Sequence, residues 1–71
     1  MKRYLIVIEP TKTGYSAYSP DLGGCIATGK TLLRVQKNVQ AAIEFHLEGL
    51  KLAKMRIPVP RATVTFAEVA S

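Results

Sequence analysis

The spacing of apolar positions changes character along this chain, and each change predicts an element. Residues 2–9, KRYLIVIE, are almost continuously apolar and rich in β-branched and aromatic side chains, which predicts a strand. Tyr4, Ile6 and Ile8 share one face and Leu5 and Val7 the other, so both faces are apolar. That pattern suits a central strand, or one whose outer side another subunit covers. Pro10 is expected to end it, because proline cannot donate to a ladder. Residues 15–19 predict a second strand, with Tyr15, Ala17 and Ser19 on one face and Ser16 and Tyr18 on the other. The segment SPDLGG then turns the chain. Pro20 presets φ, Asp21 can accept from backbone amides, and Gly23 and Gly24 permit positive φ. Residues 25–28 form a third short strand.

From Leu32 the period lengthens to 3.6. Leu32, Val35, Val39, Ala42, Ile43, Leu47 and Leu50 make one stripe, predicting a helix to about Lys54 with Thr31 as its N-cap. Arg34, three residues after the cap, excludes a capping box. Ala41, Phe45 and Leu52 recur away from the main stripe, and Leu33 stands apart from both; a second apolar stripe asks for a second packing partner. Gly49 costs ~1 kcal/mol relative to alanine in a helix interior, so it marks either a close approach to another element or a local helix end. The segment IPVP at 57–60 is an extended connector. Residues 61–69, RATVTFAEV, predict a last strand with Ala62, Val64 and Phe66 on one face. The reading is one α+β domain over residues 1–71: a β-β-β-α-β chain with a three-stranded antiparallel meander, one long helix and a final strand.

Size sharpens the need for a partner. A chain of 71 residues, 48% of them apolar, supports one small core, and cores of this size recruit metals, disulfides or self-association. Cys25 is the only cysteine, and neither it nor His46 has ligand-spaced neighbours, so self-association is the expected remedy. Leu5, Val7, Phe45 and Leu52 are its candidate interface. A lone thiol, with no signal-like or membrane-length apolar run, points to a cytoplasmic protein.

No catalytic, cofactor-binding or metal-binding residues are assigned, and the chain is read as a non-enzyme. The five acidic residues are scattered, whereas metal-dependent hydrolysis needs them clustered. His46 falls in the apolar stripe without a nucleophile or orienting acid, which fits a structural or interface role. Cys25 follows two glycines in a short strand and is expected to be buried. Ser19 and Asp21 flank a proline turn, where both residue types ordinarily complete backbone hydrogen bonds. The string GCIATGKT satisfies the bare pattern of a phosphate-binding loop, but residues 25–28 read as strand, so the match is accidental. The net charge of +5 favours acidic partners. Lys30, Arg34 and Lys37 share the first helical turns and are candidate phosphate contacts, though no nucleic-acid-reading motif accompanies them.

Taken together, YSAYSPDLGGCIATG at 15–29, Thr31-Leu32, Asn38-Val39, Ala41-Ala42-Ile43, HLEGL at 46–50 and IPVP at 57–60 resemble the HicB-type antitoxin family over nearly the whole chain. The resemblance implies a partial ribonuclease-H-like fold and a protein that binds a small HicA-type, RNA-cleaving toxin and covers its active site, assembled as a dimer or tetramer. It makes Tyr18, Pro20, Asp21, Leu22 and Cys25 of the hairpin the candidate partner-binding residues. Many members continue into a C-terminal DNA-binding domain, and this chain is expected to lack one. Gly23 stands where the family commonly has a second proline, and Lys30, Arg34 and Lys37 occupy a stretch that is commonly acidic. A stand-alone oligomeric nucleic-acid-binding protein using the basic helix start is the alternative, and a residual ribonuclease-H-like nuclease a third reading.

Overall fold

A computed structural model describes residues 2–71. Three strands, β1 (Val7–Pro10), β2 (Tyr15–Tyr18) and β3 (Ile26–Gly29), are followed by one helix, α1 (Leu32–Leu52). The sheet is an antiparallel meander in the order β1-β2-β3, with Ile8 opposite Ala17 and Ala17 opposite Ala27. Helix α1 packs across one face of it, so the fold is α+β with one helical and one sheet layer.

The core lies between the layers. Ala17, Leu22, Cys25, Val35, Val39 and Ile43 are buried, and Tyr4, Ile6, Ile8, Tyr15, Ala27 and Leu47 pack around them. Tyr4, Ile6 and Ile8, grouped on one face by the two-residue alternation, are the ones that turn towards the core, as are Tyr15 and Ala17 of β2. Within the predicted helical stripe only Val35, Val39 and Ile43 are fully buried. Leu32, the first residue of the stripe, is 53% exposed.

Several expectations are corrected. Of the two alternatives for β1, the central strand is excluded because β1 occupies an edge, and it begins five residues later than expected. Its pairing with β2 stops at Tyr18 because Ser19 and Pro20 already turn away. Pro10 is the last paired residue, opposite Tyr15; an edge strand tolerates proline. Gly49 is neither a close contact nor a helix end: nothing lies within 4 Å of where its Cβ would be, and α1 continues to Leu52. Only Gly24 of the glycine pair uses positive φ, at 86°. After α1 no strand is formed among the described residues, and residues 63–71 are exposed. The expected final strand has no ladder partner among the described residues.

The helix ends are set locally. Thr31 Oγ1 accepts from Arg34 N at 3.0 Å, the predicted N-cap. At the other end Lys54 N donates to Lys51 O and Met55 N to Leu50 O, at 3.0 and 2.9 Å. This is a Schellman closure with Lys54 at φ 57°, where glycine is usual.

Candidate partner-binding surface

The hairpin between β2 and β3 is built around an inward plug. Leu22 N donates to Ser19 O and Cys25 N to Leu22 O, both at 3.2 Å, folding the loop so that Leu22 enters the core. Leu22 and Cys25 are both buried. Two of the five candidate partner-binding residues therefore hold the loop in shape from beneath. Burial also pushes the Cys25 thiol up by desolvation, opposite to what a nucleophile needs.

The outer rim consists of Tyr18, 39% exposed, Pro20, and Ile26, 63% exposed. They border a shallow depression of about 360 Å³ completed by Gly23 and Gly24. Ile26 was not singled out from the sequence. Its place on the outward face of β3, beside Tyr18 of β2, is set by the cross-strand register.

Asp21 takes a different role from a partner for Ser19. Its Oδ2 accepts from Arg61 N and Ala62 N, each at 3.1 Å, so the carboxylate anchors the chain returning after α1. The hydroxyl of Tyr4 donates to Pro58 O at 2.6 Å nearby. These contacts span forty or more residues of sequence, and no local pattern signals them. Ser19 Oγ is buried and makes no hydrogen bond among the described residues.

The basic residues do not form one helical face. Lys30 precedes the N-cap, so only Arg34 and Lys37 belong to α1, and all three are exposed. The string resembling a phosphate-binding loop is occupied by β3, whose backbone amides and carbonyls belong to a strand. Among the described residues no three His, Cys, Asp or Glu side chains converge as a metal site would require. Among the described residues no helix is long and apolar enough to cross a membrane. Of the candidate interface residues, Leu5 and Val7 are half-buried at the β1 edge, while Phe45 and Leu52 project from the outer side of α1.

Comparisons with known proteins agree with this architecture. A 45-residue stretch is 40% identical to a UPF0150 protein of Helicobacter pylori, covering 63% of this chain and 62% of that protein. A 47-residue stretch is 43% identical to an uncharacterized 14.9 kDa protein in the rep-hol intergenic region of Haemophilus phage HP1, covering 66% of this chain and 35% of that protein. The chain thus spans about a third to three-fifths of the curated relatives it matches. Among solved structures, a chain of a "HicA3 and HicB3 toxin-antitoxin complex" superposes with a TM-score of 0.72 at 33% identity, covering 84% of this chain and 70% of that one. Residues 4–69 match the family described as "HicB_like antitoxin of bacterial toxin-antitoxin system", and the chain belongs to that family.

Proposed function

We propose that this chain is the antitoxin half of a toxin–antitoxin pair, a non-enzymatic protein that binds a small HicA-type, RNA-cleaving toxin and masks its active site. The observation that supports this most directly is the likeness to a toxin–antitoxin complex at 33% identity over 84% of the chain. The hairpin suits such work. Its rim of Tyr18, Pro20 and Ile26 is exposed and apolar, and Leu22 and Cys25 lock it from inside. A rigid loop loses little conformational freedom on binding, which favours affinity.

Co-expression with a HicA-type toxin tests the reading. The two proteins are expected to co-purify, and toxin-dependent RNA cleavage is expected to fall as this chain is titrated in. Tyr18→Ala and Ile26→Asp should each weaken the complex about tenfold or more, as truncation of a central aromatic or burial of a charge does at interfaces. A chain that neither binds nor inhibits such a toxin would remove the proposal.

A further inference from the structure

The chain carries a strand-patterned tail without a ladder and a sheet edge at β1, and their patterns match each other. Val64, Phe66 and Val69 are 62%, 90% and 81% exposed, although the segment alternates as a strand does. Residues 2–6 lead into β1 at the edge of the sheet and belong to no ladder themselves. The radius of gyration is 14.0 Å, against about 11 Å for a compact chain of this length, and the long dimension is 49 Å. The tail leaves the body.

We propose that residues 61–69 of one copy add as an antiparallel strand to residues 2–9 of a second copy, and that the exchange is reciprocal. One register satisfies both charge and pattern. With Glu68 opposite Lys2, Arg61 falls opposite Glu9. The same register sets Phe66 opposite Tyr4, Val64 opposite Ile6 and Ala62 opposite Ile8. Directly opposed residues share a face in an antiparallel pair. The apolar face of the tail therefore continues the face on which Tyr4, Ile6 and Ile8 pack against the core.

The tail cannot reach this register on its own chain. Asp21 holds the amides of Arg61 and Ala62, and Ala62 sits across a trough from Arg3, Tyr4, Leu5 and Ile6. Placing Ala62 opposite Ile8 requires a shift of several residues along β1, at about 3.3 Å each. An antiparallel run from its anchored position passes beyond the start of its own strand. A parallel run along its own β1 brings Glu68 up towards Glu9, a like-charge encounter. A second copy related by a two-fold axis offers the free edge in the required direction, and each contact then occurs twice. Doubling carries two nine-residue strands towards the ~1,600 Å² of a standard stable interface. The exchange stands apart from toxin binding, because the tail and the hairpin rim are different surfaces.

Sedimentation velocity on the full chain at micromolar concentration is expected to show a dimer or a multiple of it. Phe66→Asp should raise the dimer dissociation constant on the order of a hundredfold, since a two-fold interface takes each change twice. The helical circular dichroism should stay unchanged, because Phe66 lies outside the core. Glu68→Lys should weaken the dimer about threefold to tenfold, and the added Lys2→Glu should restore it. As an independent readout, ¹⁵N-labelled and unlabelled copies are mixed and coupled with a carbodiimide. Mixed-isotope peptides joining Lys2 to Glu68 are expected. A monomeric wild type, a dimer indifferent to Phe66→Asp, or Lys2–Glu68 links only within same-isotope chains would overturn the proposal.

Discussion

Gly29 lets the sheet approach the helix closely, and Gly29→Ala measures how much the fold depends on that approach. A Cβ there would meet Val35 N at 2.6 Å, Val35 Cα at 2.8 Å and Arg34 C at 3.1 Å. All three are backbone atoms of the first helical turn. That turn is fixed by the Thr31 cap and by the 2.9 Å bond from Val35 N to Thr31 O. Non-bonded carbons settle at about 3.5–4 Å, so the start of α1 must retreat by close to ~1 Å. No flexible side chain can absorb the clash. The retreat also loosens Val35 and Val39, which are wholly buried. Overpacking of this kind costs about 1–3 kcal/mol, and replacing a strand glycine returns about 0.5–1 kcal/mol. A net loss of about 1 kcal/mol lowers Tm by roughly 4–8 °C in a domain of this size. Thermal unfolding followed by circular dichroism is the assay, at one chain concentration, because self-association raises apparent stability. Gly23→Ala is the internal control: nothing lies within 4 Å of its Cβ position and its φ is not left-handed. It should leave Tm unchanged or slightly raised. Equal Tm values for the two variants would refute the reasoning, because the close approach would then cost nothing.

Further predictions follow from the ends and anchors of α1. Lys54→Gly relieves a left-handed residue at φ 57° and should stabilise the chain by about 1 kcal/mol, read as a raised denaturant midpoint. Gly49→Ala, in open space within the helix, should add about 0.8–1 kcal/mol in the same assay. Asp21→Ala removes the acceptor of the Arg61 and Ala62 amides; amide exchange at those two positions should accelerate, and stability should fall by about 1 kcal/mol. Cys25 gives a pH signature. Its folded pKa is raised above the ordinary 9.0 by burial, so above that pH the unfolded chain binds fewer protons than the folded one. Stability contributed by the protonated thiol is therefore complete below pH ~9 and declines as pH rises further. Cys25→Ala should flatten that decline in urea titrations across the alkaline range.

The sequence by itself determined the local choices. Alternation placed β2 and grouped Tyr15, Ala17 and Ser19 on one face, and the 3.6-residue stripe through Val35, Val39 and Ile43 placed α1 and its buried side. Thr31 was legible as a cap because capping needs only a side-chain oxygen three residues from an amide. The family likeness was legible too, since it rests on residues in order. What tertiary structure decided was everything that depends on distant neighbours. Residues 2–9 read as a strand apolar on both sides, but nothing local says whether a strand is central or at an edge; the sheet order made β1 an edge. The Asp21 carboxylate lies 40 positions before Arg61 in sequence, and only the folded path brings the returning chain to it. Cys25 is expected to be buried from the sequence, but Leu22 is a candidate partner-binding residue, and the loop's own hydrogen bonds turned it inward while leaving Tyr18 and Ile26 outside. The last segment shows the same division most plainly. Its alternation is a property of residues 61–69 alone, whereas a strand exists only when a second backbone lies within hydrogen-bonding distance.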